Sequence, residues 1–271
     1  TNGQVKIIDD PSGTILDLLN VTGKGSFGPR IVTIDELRGT LNSGKFAIAA
    51  KLDRDPSCPR FEAEVQAGGV EIDRGMPILG YFVPVVAGAT DGVGGRFDLM
   101  LNVGGQGTTR ADIRRYLHGQ GSVVLDPVDL EGSKFLAQLD VLGDWPQESR
   151  IGSVSTDFTV DKGRITTEDL TIRVSRFPFV LGGWTDFDGR FDYRTRVDRI
   201  AAKLPREAKG WLSSELKMSF EQLAGLRMSG SIDRIDVTVH GQPLTGDPDR
   251  PNAERARFRE TARQIRDRFF R

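Results

Sequence analysis

Alternation of apolar and polar residues with period two is the feature that most limits what this chain can fold into. Leu170, Ile172 and Val174 alternate with Thr171 and Arg173, and Phe191, Tyr193, Thr195 and Val197 alternate with Asp192, Arg194, Arg196 and Asp198. Successive side chains of a strand point to opposite faces, so each run makes a strand with one apolar and one polar face. Comparable runs at 14–21, 45–53, 60–72, 95–103, 121–125, 153–160, 179–187 and 231–240 place strands along most of the 271 residues. Asp161-Lys162-Gly163 and Asp188-Gly189 read as tight hairpin turns, because glycine and short polar side chains accept the left-handed backbone such turns need. Glycine, at 32 residues, is abundant enough to favour many short strands over a helical bundle.

Helical signals are few and short. Thr33 and Glu36 have capping-box spacing, a hydroxyl followed three residues later by a carboxylate that can satisfy free N–H groups, and predict a helix ending near Gly44. Thr109 and Asp112 repeat that logic before Ile113 and Leu117, with Gly119 as the stop. Segments 133–141 and 205–223 are further candidates. From Arg250 onward, eight arginines face Glu254, Glu260 and Asp267, while Phe258, Ala262, Ile265 and Phe269 form one stripe of a helix. The expected division is therefore a β domain over 1–245 and a basic amphipathic helical tail over 246–271. Phe258, Arg259, Arg263, Arg266 and Phe269 of that tail are a candidate surface for a membrane or a partner.

The chemistry of the sequence is sparse. Lys+Arg 37 against Asp+Glu 38 leaves a formal charge of −1, without the basic excess of a nucleic-acid binder. One cysteine, Cys58, and two histidines, His118 and His240, cannot assemble a standard zinc cluster, and no metal or cofactor is expected. The Gly23–Gly28 segment has the glycine spacing of a phosphate-binding loop, but Pro29 to Thr33 reads as extended, whereas a dinucleotide site needs a helix opening there. Gly104 to Thr109 lacks the lysine of a P-loop and reads as a strand-to-helix turn. No hydrolase elbow occurs, no carboxylate pair stands out among 38 acids, and Trp145, Trp184 and Trp211 read as packing residues. The expectation is a chain without catalytic residues. The absence of a long apolar run, and of a leader before Thr1, reads as a soluble piece of something longer.

The order of strand (95–103), capped helix (107–119) and strand (121–126), continued through 135–142, 153–165, 170–174, 191–200 and the strand 235–241 before Pro243, resembles the C-terminal region of the AsmA-like family of bacterial envelope proteins. Residues 25–73 look like the unit upstream in that family, so the likeness covers most of 14–245. Asp126-Pro127 stands where members often have Asp-Gly, and the family's N-terminal membrane helix is not in this sequence. The resemblance implies an elongated twisted antiparallel sheet curled into an open groove or half-barrel. It further implies a periplasmic location, an inner-membrane anchor, and a role in phospholipid transport or outer-membrane assembly. The implied partners are phospholipid or another acyl lipid, and envelope proteins. On the greasy alternates, Leu170, Ile172, Val174, Phe179 and Leu181 are the candidate lipid contacts. The competing expectation is a scaffold domain of the same fold whose apolar face is closed on its own side chains.

Overall fold

A computed structural model describes residues 3–9, 14–72, 79–86, 93–130, 132–139, 151–174, 177–203 and 220–243. The strands are β1 Gly3–Asp9, β2 Thr14–Phe27, β3 Ile31–Leu41, β4 Gly44–Asp53, β5 Arg60–Ile72, β6 Val93–Gln106, β7 His118–Leu130, β8 Ile151–Asp161, β9 Arg164–Val174, β10 Phe177–Asp186, β11 Arg190–Thr195, β12 Leu226–Ser231, β13 Arg234–Val239 and β14 Gln242–Pro243. They form a mainly β structure, among the described residues a single fourteen-stranded antiparallel sheet in which each strand pairs with its neighbours in sequence. The sheet does not close on itself, and β1 and β14 are its two ends. Every pairing between strands is thus also a pairing of neighbours along the chain, the arrangement that runs of alternation separated by turn signals favour.

Two of the expected turns are present as hairpins. Lys162 (φ 47°) and Gly163 (φ 80°) link β8 to β9, both in the left-handed region that suits a two-residue connection between twisted strands. Between β10 and β11, Asp186 accepts from the backbone N–H groups of Asp188 and Arg190 at 3.0 and 2.9 Å.

The segment around Thr33 corrects the sequence reading. It is strand β3, not a capped helix. Ile34 pairs with Ala50 and Leu37 with Ile48, so three residues of β3 advance against two of β4. That bulge breaks the alternation and places Ile34, Leu37 and Leu41 at the spacing of a helix face, while the ladders of β2 and β4 on either side decide the matter. A second correction lies after β11: Val197 does not continue the strand but opens a helix, with the N–H groups of Arg199 and Ile200 both bonded to the Arg196 carbonyl at 3.0 Å.

The helices are α1 Leu79–Phe82, α2 Arg110–Tyr116, α3 Lys134–Leu139, α4 Val197–Lys203 and α5 Phe220–Ala224, with a 3₁₀ turn at Pro84–Val86. The box at α2 forms as expected, Thr109 Oγ1 accepting from the Asp112 N–H at 3.1 Å and the Asp112 carboxylate accepting from the Thr109 N–H at 3.2 Å. Helix α3 lies within the predicted 133–141 and α5 overlaps the end of 205–223. Residues 204–219 and the tail, with Phe258, Arg259, Arg263, Arg266 and Phe269, lie outside the described residues.

Except for α2, the helices and the 3₁₀ turn lie in connections at one end of the strands; the opposite end, where α2 sits, otherwise carries tight turns. Helices α1 and α3 deliver apolar side chains onto the sheet's apolar face, whereas Lys203 of α4 donates to Thr171 on the opposite face, where Thr171 and its partner Val180 are buried. Phe82 of α1 packs on Phe158 with ring centroids 4.9 Å apart, and Phe135 of α3 meets Phe179 edge-on at 6.3 Å. Ser133 Oγ donates to the Val85 carbonyl at 2.7 Å and ties α3 to the 3₁₀ turn. Ile200 of α4 and Leu223 of α5 complete the buried cluster.

Helix α3 also manages one margin of the sheet. The buried Gln138 side chain donates from Nε2 to the Ile235 carbonyl at 2.6 Å and accepts on Oε1 from the Val237 N–H at 2.7 Å, so its amide stands where a neighbouring strand would be. Farther along β13, Thr238 and Val239 pair with the two residues of β14. Gln138→Leu removes both bonds and leaves a buried carbonyl and a buried N–H without partners. The expected cost is about 2–4 kcal/mol, read as a lower urea midpoint with an unchanged slope.

Candidate functional site

The register places the apolar side chains in rows that cross the sheet. One row runs Ile34, Ala50, Ala63, Val103, Gly119, Val160, Ile165, Thr185, Phe191, Gly230 and Ile235, so all of β3 to β13 share one apolar face. Along β9 and β10, Ile172 pairs with Phe179 and Leu170 with Leu181. Leu170, Ile172, Val174, Phe179 and Leu181 therefore stand together on this face, as the alternation predicts. All five are at most 2% exposed, covered by the chain's own helices and neighbouring strands. They are core residues in this structure, and burial of each contributes about 1.5–3 kcal/mol to the fold.

The uncovered part of the same face lies elsewhere, across β2 to β6. There Leu37, Ile48, Val65 and Leu101 form one row and Val32, Leu52 and Phe61 another, and Phe27 pairs with Val32 at the end of β2. Most of these are half-buried, Leu52 is 36% exposed and Phe27 is 82% exposed. Toward the helical end of the same strands, Phe46, Val70 and Phe97 are buried, and Val70 and Phe97 join the covered cluster. The apolar face thus passes from closed to open within single strands. Its open residues escape a reading of the sequence because β4 and β5 mix Ala47, Ala49, Ala50, Ala63 and Ala67 into their alternation, which dilutes the signal. The pattern of Phe61, Ala63, Val65 and Ala67 against Glu62, Glu64 and Gln66 is nevertheless present.

The opposite face is mostly polar, with Val180 and Thr171 buried on it beside α4. Across β3 to β7 it holds an open depression of about 770 Å³ lined by Asp35, Lys51, Glu62, Glu64, Asn102 and His118 among others. His118 Nδ1 lies 3.0 Å from the Tyr116 carbonyl, so Nδ1–H donates there and Nε2 is left as the acceptor. Among the described residues no hydroxyl or thiol is hydrogen-bonded to that ring, so a nucleophile–base pair is not assembled there. Among the described residues no three His, Cys, Asp or Glu side chains are gathered so as to hold a metal ion. The Gly23–Gly28 segment belongs to β2 and its hairpin and opens no helix, while Gly104 to Thr109 is the turn from β6 into α2. Trp184 lies on the polar face under the Arg164 guanidinium, 4.5 Å from its ring centre; Trp145 and Trp211 lie outside the described residues. No helix among the described residues is long and apolar enough to cross a membrane.

Ion pairs brace this polar side. Arg114 of α2 grips Asp188 of the β10–β11 turn through two bonds of 2.6 Å, and Arg227 grips Asp192 through two of 2.7 Å. No family model, no curated protein and no solved structure matches the chain.

The Arg227 guanidinium holds the Asp192 carboxyl below its ordinary pKa. A carboxyl depressed in the folded state stabilises the fold above its unfolded pKa of about 4, and that contribution is lost as pH falls through the folded value. Arg227→Met should cost about 0.5 kcal/mol at pH 7, a Tm lower by about 1–2 °C. The gap between wild type and variant should shrink as both are melted at progressively lower pH, and a constant gap would exclude the ion pair as its source.

Proposed function

We propose that this chain is a noncatalytic lipid-handling module of a bacterial envelope protein, in which residues 1–245 curl into an open groove or half-barrel that takes acyl chains. The likeness of its strand and glycine pattern to AsmA-like proteins supports a place in the periplasm, an inner-membrane anchor in the whole protein, and a part in phospholipid transport or outer-membrane assembly. The observation that carries the reading is the apolar face itself, closed under helices at one end of the strands and half-open across β2 to β6 at the other. A lipid tail needs such a surface and few polar contacts, since each buried methylene contributes about 0.8 kcal/mol. Five strands at about 4.8 Å spacing cover roughly 19 Å. That exceeds the about 15 Å of hydrocarbon in one bilayer leaflet. Acyl contact accordingly belongs to Val32, Leu37, Ile48, Val65 and Leu101 rather than to the covered Leu170, Ile172, Val174, Phe179 and Leu181. The tail at 246–271 is proposed as a helix that adds a basic contact to membrane or partner through Phe258, Arg259, Arg263, Arg266 and Phe269.

A second reading draws on those five covered residues. Their dry packing is what a scaffold domain without bound lipid would have, engaging envelope proteins instead.

Mass spectrometry of organic extracts separates the two. Protein purified without detergent should yield stoichiometric phospholipid, absent from an unrelated sheet protein prepared alongside. Val65→Glu, which sets a carboxylate in the middle of the open face, should lower binding of a fluorescent fatty acid at least about tenfold while leaving the circular-dichroism melt nearly unchanged. No lipid in the extract and equal binding by both proteins would leave the scaffold reading.

A further inference from the structure

The end of the sheet that carries the turns between β2 and β3 and between β4 and β5 combines exposed apolar side chains with cations in a fixed frame. Phe27, 82% exposed, is the outermost member of the row Phe27, Val32, Leu52 and Phe61 and so forms a lip on the open part of the apolar face. This lip is not a loose loop. The Gly28 N–H donates to the Ile31 carbonyl at 2.8 Å, the Arg54 N–H to the Arg30 carbonyl at 2.8 Å, and Arg54 Nη2 to the Gly28 carbonyl at 2.9 Å, so the two turns are bonded to each other. Asp55 accepts from the backbone N–H and hydroxyl of Ser57, which folds the second turn. An aromatic ring held out in water by a braced pair of turns is a feature that the fold itself does not require.

The charges around it point one way. The acids of these turns, Asp53 and Asp55, are both taken by Arg30, at 2.8 and 3.3 Å, and Asp112, between Arg110 and Arg115 on α2, is held in the helix cap by the Thr109 N–H and hydroxyl. Arg54, Arg60, Arg110 and Arg115 are exposed at the same end and make no ion pair with a carboxylate among the described residues. Arg115 lies over the ring of Tyr116, 5.6 Å from its centre, a second aromatic and basic pairing on α2. Apolar side chains flanked by such arginines match an interface where hydrocarbon lies beneath a layer of phosphates.

We propose that this end of the sheet docks on an anionic bilayer, with Phe27 inserted among the acyl chains and Arg54, Arg60, Arg110 and Arg115 reaching lipid phosphates. The apolar lip then abuts the hydrocarbon directly, and a tail can pass along Val32 and Leu37 onto the open face without crossing water. This passage rests on the proposed groove; the docking itself does not.

The test uses the whole chain and vesicles of phosphatidylcholine with about 30 mol % phosphatidylglycerol. Phe27→Trp should shift its emission to the blue on adding vesicles and be quenched by lipids brominated along the acyl chain. Ile151→Trp, at a position 64% exposed at the opposite end of the sheet, should do neither. Phe27→Asp should weaken co-sedimentation at least about fivefold, and vesicles of phosphatidylcholine alone should bind far less. Protein that sediments with vesicles while the indole introduced by Phe27→Trp stays unshifted would overturn the proposal and move the contact elsewhere, residues 246–271 included. Failure to sediment would overturn it equally. Fatty-acid binding measured without vesicles reports on the groove alone, so either idea can fail while the other stands.

Discussion

A wide sheet with one apolar face must cover that face, and the rest of this structure follows from how the covering is shared out. The fourteen strands are paired strictly in sequence order, and among the described residues there is no second sheet to pack against. Short helices in the connections at one end are the covering these residues supply, and the buried cluster they complete runs from β5 to β13 but leaves Val32, Leu37, Ile48, Val65 and Leu101 half-open. Phe46 and Val70 mark the boundary on β4 and β5, buried while Ile48 and Val65 on the same strands are half-open. The apolar surface left half-open there is the physical basis of the proposal that it takes a lipid.

One margin of the sheet is met by a helix. Near the C-terminal end, Gln138 supplies a donor and an acceptor to β13 and Lys134 donates from Nζ to the Asp233 carbonyl at 3.2 Å, so side chains of α3 stand in for a strand. Such polar satisfaction inside an apolar setting fixes where α3 lies, because any other placement would strand buried backbone groups. The same helix carries Phe135 and Leu139 into the core, so one short element both bonds the part of β13 that β14 leaves unpaired and covers part of the apolar face. Electrostatics works on the outer side, where Arg114 and Arg227 hold α2 and β12 to acids of neighbouring elements. Tyr193 is the exception, a phenol buried in the core with its pKa pushed up to about 12 by burial and bonded to Thr185 at 3.1 Å.

Alternation, turn residues and one capping box made most of the strands, the hairpins at Lys162-Gly163 and Asp188-Gly189, and helix α2 legible from the residues alone. Each of these depends on neighbours in sequence. Strand β3 was not legible, because a bulge opposite Ala50 and Ile48 imitates helical spacing and only its two partner strands reveal it. Strand β12 was missed because Leu226 and Met228 alternate for just six residues, with Gly230 in the next inward place.

What the sequence by itself determined is which side chains share a face within each unbroken run of alternation, because the two-residue period assigns successive residues to opposite sides until a bulge such as that of β3 resets it. Leu170, Ile172 and Val174 share a face with Phe179 and Leu181 in the register of β9 and β10, and all five are buried there. Which part of that face stays open was decided only by the tertiary structure. Coverage depends on where α1, α3, α4 and α5 land, and those helices are too short for their own periodicity to say what they pack upon. The most apolar stretch of alternation attracted the covering elements and became core, while the alanine-rich strands β4 and β5 kept the accessible surface.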